Sequence, residues 1–162
     1  MPLTKTNLAQ PLEQLFKNKP ATAADAAAGS ANAYLSYAGS AMSSAASLPV
    51  NASGNLGILL GAFQSGLSAL AAPAAGALVS QGIIGFWQAA AWVGPTAVGT
   101  TAFPGNASLA AALSAIFADV GQSSPAEKAS RFADAFDAGA KMVVVMDIPL
   151  VQPAPPIVGP IQ

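Results

Sequence analysis

The sequence predicts a mainly α-helical protein, with a compact bundle of about five helices, one C-terminal β-strand and an extended proline-rich tail. Alanine, the strongest helix former, contributes 39 of the 162 residues. Apolar side chains recur at spacings of three and four along much of the chain, which is the period of an α-helix. The only good strand candidate is the β-branched run MVVVMDI at residues 142–148.

Charge divides the chain into two ordinary ends and a neutral middle. The chain has six basic and seven acidic side chains, and none of them lies between Ala26 and Ala118. A monomer would therefore lack the usual charged coat, and we expect partners or lipid to cover part of its surface. With a net charge of -1, the chain also lacks the basic footprint that nucleic acid binding requires.

Two helices are predicted in the N-terminal part. The segment LAQPLEQLF at residues 8–16 has its leucines at helical spacing, with Pro11 expected in the first turn and Pro20 as the stop. The second helix opens on a capping box at residues 22–25, in which Asp replaces the preferred Glu. We expect this helix to continue to about Ala46.

The neutral middle predicts two more helices between turns. Residues 47–55, SLPVNASGN, have turn composition. Helices are expected at residues 55–72, where a leucine stripe has glycines on the remaining faces, and at residues 73–93, where Pro73 suits a first turn. Residues 94–105 lack helical periodicity and predict a loop with a short extended piece at residues 97–103.

Two clearer helices and the strand follow. Asn106 or Ser108 can cap the first of these helices, and the box at residues 124–127 caps the second, with Pro125 at its first position. The strand at residues 142–148 needs a partner. That partner is the 97–103 segment, another chain, or nothing.

The C-terminal end predicts contacts between subunits. The last fourteen residues contain five prolines and no charge, so we expect an extended apolar tail that lies on a surface. We therefore divide the chain into a single helical domain, residues 1–148, and a tail, residues 149–162. Phe86, Trp87, Trp92 and Phe103 are expected to be core or interface anchors. The residues expected to contact other subunits through the strand and the tail are Val143, Val145, Ile148, Pro153, Pro155, Pro156 and Ile157.

Catalytic chemistry has little support in this sequence. The chain contains no cysteine and no histidine, which removes thiolate chemistry and the usual general base at neutral pH. Asp134 and Asp137 are three residues apart on a predicted helix, but the charged residues around them favour a solvated outer face. We therefore predict no enzyme, no catalytic residue, no metal ligand and no cofactor.

Two alternatives belong to other functional classes. One is a small integral membrane subunit, in which residues 55–93 form a two-helix hairpin with a GxxxG motif at Gly57 to Gly61. Glutamines inside both helices and the absence of flanking Lys or Arg weigh against this alternative. The other is a small-ligand binding module in which Trp87 and Trp92 line a pocket.

Four stretches resemble small Ala/Pro-rich structural proteins of bacteriophage tails and contractile-injection particles. They are LEQLF, ANAYLSYA, GFWQAAAWVGPTAVGTTAFPGNASLAAALSAIF, and RFADAFDAGAKMVVVMDIP with the proline-rich tail. The resemblance implies a virion or tail structural role, with copies of itself or other particle proteins as partners. It implies no catalytic residue. Because the N terminus has no apolar core of a secretory signal, we expect a particle component assembled in the bacterial cytoplasm.

Overall fold

Three pairs of helices alternate along the chain with one or two strands, and all the strands belong to one sheet. The computed structural model describes residues 3–103, 108–119, 121, 123–150 and 155–162. These residues form six α-helices: α1 (Thr6–Lys17), α2 (Ala23–Ala38), α3 (Leu56–Leu67), α4 (Ala72–Gln88), α5 (Ser108–Ala118) and α6 (Pro125–Ala140). They also form five strands: β1 (Val50–Asn51), β2 (Ala91–Val93), β3 (Ala97–Phe103), β4 (Val144–Pro149) and β5 (Ile157–Pro160).

Two helix starts predicted from capping boxes are confirmed. The Thr22 hydroxyl accepts a 3.1 Å hydrogen bond from the backbone N–H of Asp25 at the start of α2. The Ser124 hydroxyl accepts a 3.2 Å hydrogen bond from the backbone N–H of Glu127 at the start of α6. Each bond satisfies a backbone donor that has no partner within the helix. Pro11, in contrast, lies inside α1 and not in its first turn, because the helix begins at Thr6.

The six helices pack in a cyclic order. Each helix contacts the next one in the chain, and α6 contacts α1. Glycines allow the alanine-rich helices to approach closely. A Cβ atom on Gly82 of α4 would lie 1.9 Å from the Cβ of Ala62 on α3, and one on Gly76 would lie 2.6 Å from the backbone nitrogen of Ser114 on α5. The neutral helices therefore pack backbone against backbone.

An aromatic cluster fills the space between the helices. Tyr34 of α2 lies at its centre, with ring centroids 5.7 Å from Phe86 and 5.2 Å from Phe136. Both contacts are edge-to-face, the arrangement that aromatic quadrupoles favour. Trp87 stacks on Trp92 with centroids 6.0 Å apart and joins the helices to the sheet.

The sheet is antiparallel, with strands in the order β1-β2-β3-β4-β5. One row of partners crosses all five strands: Val50, Trp92, Gly99, Asp147 and Ile157. Side chains that alternate along a strand point to opposite faces. The inward positions of the central strands β2, β3 and β4 include the buried Trp92, Val145 and Asp147, whereas Ile157, in the same row on the edge strand β5, is 53% exposed.

Residues 42–44 join the two edges of the sheet. On one side, the backbone N–H of Ser43 donates to the carbonyl of Leu48 at 2.9 Å, next to β1. On the other side, Met42 and Gln162 exchange backbone hydrogen bonds of 3.0 and 2.9 Å beyond the end of β5. The five strands and this segment thus form a closed ring in which both sheet edges are paired, which protects them from other chains.

The structure confirms a mainly α-helical fold and corrects the prediction of one strand. Strand β4 pairs with β3, one of the three partners considered for it. Helix α2 ends at Ala38 and not near Ala46, because residues 42–44 enter the ring. Helix α4 ends at Gln88 and not at Val93, because residues 91–93 form β2.

The predicted division into a helical domain and a tail at residue 148 does not coincide with a boundary of the sheet. It falls inside β4, and β5 belongs to the same sheet. Residues 157–162 are therefore an integral part of the fold, although they are extended as expected.

Candidate interaction surface

The charged side chains gather on one part of the folded surface. They lie on α1 and just beyond its two ends, on the first turn of α2, directly after the end of α5, and on α6 and directly after it, apart from the buried Asp147. Helices α1 and α6 contact each other, so the charges occupy adjacent helices. Three ion pairs lie there: Lys5–Asp134, Lys17–Glu13 and Arg131–Asp119. The first two join exposed or half-exposed side chains and contribute little to stability, whereas the Asp119 side chain of the third is only 15% exposed.

The outward sides of α3, α4 and α5 form what we call the neutral face. On α3 it includes Gly57, Gly61 and Gln64, and on α4 it includes Gln81. Helix α5 adds mainly exposed alanines. None of these three helices contains a charged residue. A surface of small and amide side chains over three adjacent helices allows close approach by another protein and has no charge to desolvate.

Large apolar side chains are exposed within or beside the neutral face. Ile58 and Leu78 are each 38% exposed, and Leu70, between α3 and α4, is 106% exposed. The helix expected over residues 55–72 ends at Leu67, so its leucine stripe stops before Leu70. These side chains add apolar area to a surface without charge, and contiguous apolar area is what marks protein–protein contact sites.

Five of the predicted contact residues lie in the interior of the chain. Phe86, Trp87, Trp92 and Val143 are fully buried, and Val145 is 1% exposed. The first three are therefore core residues, which is one of the two roles expected of them. The expected contact of Val143 and Val145 with another subunit does not agree with their position, because both face the inside of this chain.

The other predicted contact residues are more accessible. Phe103 is 45% exposed at the end of β3, and Ile157 is 53% exposed at the start of β5. Pro155 and Pro156 are exposed, and Ile148 is half-buried. Pro153 lies outside the described residues. A contact surface at the C-terminal end would therefore use Pro155, Pro156 and Ile157, whereas Phe103 lies level with Pro160 in the sheet register.

Buried polar groups connect the helices. The Tyr37 hydroxyl donates a 2.8 Å hydrogen bond to Asp137, whose second oxygen is 2.6 Å from the Lys141 ammonium. Asp137 is only 8% exposed, so the expected solvated face holds for Asp134 but not for Asp137. Burial raises the pKa of Tyr37 far above its usual range, and the hydrogen bond to Asp137 adds to this effect.

Three other groups have shifted pKa values. Burial raises the pKa of Tyr34, partly opposed by the 2.8 Å hydrogen bond that its hydroxyl accepts from the Trp87 indole. Hydrogen bonds from Ser123 and Arg131 lower the pKa of Asp119. A hydrogen bond to Asp134 raises the pKa of Lys5. Each shift stabilises the protonation state that the group already has at neutral pH, so these are structural interactions.

The described part of the chain contains neither a metal site nor a membrane-spanning helix. No three side chains of His, Cys, Asp or Glu come together there as a metal site. No helix among the same residues has both the length and the apolar character that crossing a membrane requires.

The fold and its surface define a mainly α-helical protein with a small closed antiparallel sheet and a neutral face. Comparison with known protein families, curated proteins and solved structures found no significant match.

The neutral face was only partly foreseen from the sequence. The lack of charge between Ala26 and Ala118 is visible there, and Gly57 and Gly61 lie opposite the leucine stripe at a spacing of four. The periodicity alone did not show that α4 and α5 continue the same surface, because their position beside α3 is set by tertiary packing.

Proposed function

We propose that this chain is a non-enzymatic structural subunit of a large protein assembly, and that its neutral face packs against neighbouring subunits. The observation that carries this proposal is the segregation of charge on the folded surface. Net charge and an even coat of charged groups keep monomers apart in solution. A face without charge across three adjacent helices lacks this protection.

The free space above two glycines supports the same proposal. No atom lies within 4 Å of a Cβ built on Gly57 or on Gly61, so the GxxxG motif of α3 is not used for packing within the chain. Exposed glycines weaken a helix by roughly 1 kcal/mol each relative to alanine. Close packing of a neighbouring subunit against the exposed backbone would explain why glycine occupies both positions.

Within this class, we propose a phage or phage-tail-like particle assembled in the bacterial cytoplasm. The support is the resemblance of four sequence stretches to small Ala/Pro-rich tail proteins. The partners are then copies of itself or other particle proteins. A second contact would involve the exposed residues at the C-terminal end, Pro155, Pro156 and Ile157, since Val143 and Val145 are occupied inside the ring.

Charge insertion on the neutral face tests the proposal. Gln64 and Gln81 are exposed on α3 and α4, and Gln→Glu changes the charge without changing the shape. The exposed Gln10 on α1 offers a matched control, Gln10→Glu, outside the neutral face. Sedimentation velocity over a wide range of protein concentration should show association of the wild-type chain, weaker association of Gln64→Glu/Gln81→Glu, and no change for Gln10→Glu.

A second measurement covers association with other proteins. The tagged chain, expressed in its own host, should sediment with large particles, and Gln64→Glu/Gln81→Glu should reduce its share in the particle fraction. A chain that is monomeric at every concentration and absent from all particles would contradict the proposal.

A further inference from the structure

An apolar cavity of about 170 Å³ lies between five helices. Its walls come from α1, α2, α3, α5 and α6. Phenylalanine dominates the lining, with Phe16, Phe63, Phe117, Phe132 and Phe136 all contributing. A dry apolar cavity of about 150 Å³ accepts a molecule of the size of benzene. This space is therefore large enough for one aromatic ring with a short chain attached.

Two polar side chains reach the same cavity. Ser30 of α2 is 7% exposed, and Lys128 in the first turns of α6 is half-buried. Among the described residues, neither side chain has a hydrogen bond or an ion pair within the chain. A hydroxyl can donate one hydrogen bond and an ammonium group three. Both groups are thus available to a ligand.

The nearby acidic group does not neutralise Lys128. Asp119 is close enough for the Lys128 charge to affect its pKa, but it forms its ion pair with Arg131 and accepts a hydrogen bond from Ser123. The positive charge of Lys128 is therefore left for another anion at the edge of the cavity. Charge-assisted hydrogen bonds are among the strongest in proteins.

We propose that this cavity binds a small aromatic carboxylate. The ring occupies the space between the phenylalanines, where edge-to-face contacts are available. The carboxylate accepts hydrogen bonds from Lys128 and Ser30. The alternative of Trp87 and Trp92 as pocket walls does not apply to this site, since both tryptophans are fully buried elsewhere in the core. The proposal is independent of the structural role, because the cavity lies within one chain.

A matched pair of ligands tests the carboxylate. The probes are 3-phenylpropionate and 3-phenylpropanol, which share the ring and the chain length. Isothermal titration of the full chain should show the acid binding at least about tenfold more tightly than the alcohol, as expected for a hydrogen bond between charged groups. Equal affinities, or no binding of the acid at its solubility limit, would overturn the proposal.

Variants locate the site. Lys128→Met keeps the apolar part of the side chain and should weaken binding of the acid about tenfold while leaving the alcohol unchanged. Lys19→Met, at an exposed lysine that does not line the cavity, is the control and should bind both probes normally. Leu67→Trp fills the cavity and should abolish binding of both. If Leu67→Trp, with its fold checked by circular dichroism, still binds the acid, the ligand lies elsewhere and the proposal fails.

Discussion

The buried carboxylate of Asp147 accepts a 2.7 Å hydrogen bond from the hydroxyl of Ser43, which lies in a segment more than a hundred residues earlier in the chain. The same oxygen accepts a 2.8 Å hydrogen bond from the backbone N–H of Ala46. The Ser43 hydroxyl in turn accepts from the backbone N–H of Leu48. Asp147 therefore holds the turn between residues 43 and 48, the turn that brings both sheet edges together.

This relationship predicts that Asp147→Ala opens the ring. The substitution leaves the Ser43 hydroxyl and the Ala46 N–H without an acceptor, and we expect the free energy of unfolding to fall by about 2–3 kcal/mol. Asp147→Asn keeps an acceptor oxygen and should cost less. Urea unfolding followed by tryptophan fluorescence measures both changes.

A double-mutant cycle with Ser43→Ala separates the hydrogen bond from other effects of Asp147. Because the two side chains are in contact, their effects should not add. The exposed Asp134 provides Asp134→Ala as a control with little effect. Equal losses for Asp147→Ala and Asp147→Asn would show that the carboxylate charge matters and not the acceptor, contrary to our interpretation.

Local signals in the sequence were sufficient for the starts of α2 and α6. The caps at Thr22 and Ser124 act through bonds to residues three positions away, so the sequence alone contains both partners. The β-branched run that became β4 and the extended piece that became β3 were also recognisable. These features depend on neighbours in the chain.

The closed ring could not be predicted in the same way. Strands β1 and β2 contain only two and three residues, too few for a period-2 pattern. Asp147 looks like a surface residue of a strand until Ser43 is placed beside it. The cavity polar groups, Ser30 and Lys128, come together only when α2 and α6 pack. These features depend on contacts between distant parts of the chain.

Tyr34 and Tyr37 predict a loss of stability at alkaline pH. Burial raises the pKa of both hydroxyls, so the folded state keeps protons that the unfolded state releases above pH of about 10. The free energy of unfolding should then fall by about 1.4 kcal/mol per pH unit for each tyrosine. Below that pH the contribution of both groups is fully present.

The absorbance of tyrosinate provides a direct measurement, because these are the only two tyrosines in the chain. Ionisation should accompany unfolding as one cooperative step and should not precede it. Tyr37→Phe should remove one of the two contributions to the slope. It should also lower stability at neutral pH by about 1.5–3 kcal/mol, because Asp137 loses a hydrogen bond. Gradual ionisation of the folded protein near pH 10 would disagree with this burial.

Replacing a packed glycine and an exposed glycine with alanine should have opposite effects on stability. Gly82→Ala would place a methyl group 1.9 Å from the Cβ of Ala62, and separating α3 from α4 should cost about 1–3 kcal/mol. Gly61→Ala meets open space and should raise the stability of the monomer by about 0.5–1 kcal/mol, because alanine favours the helix. Thermal unfolding of dilute protein compares the two. Destabilisation by Gly61→Ala would mean that its face is not free in the monomer.

The hydroxyl of Thr101 joins helix α4 to the sheet through two hydrogen bonds. It donates a 2.7 Å hydrogen bond to the carbonyl of Trp87 and accepts a 3.2 Å bond from the indole N–H of Trp92. Thr101→Val keeps the shape but removes both bonds, and we expect a loss of about 1–3 kcal/mol in unfolding free energy. Thr100→Val, at an exposed position of the same strand, is the matched control.

Because Trp87 and Trp92 are the only tryptophans and their rings are stacked, near-ultraviolet circular dichroism reports on their arrangement. Thr101→Val should change this spectrum and Thr100→Val should not; if the two variants behave alike in stability and spectrum, the Thr101 hydroxyl does not connect α4 to β2.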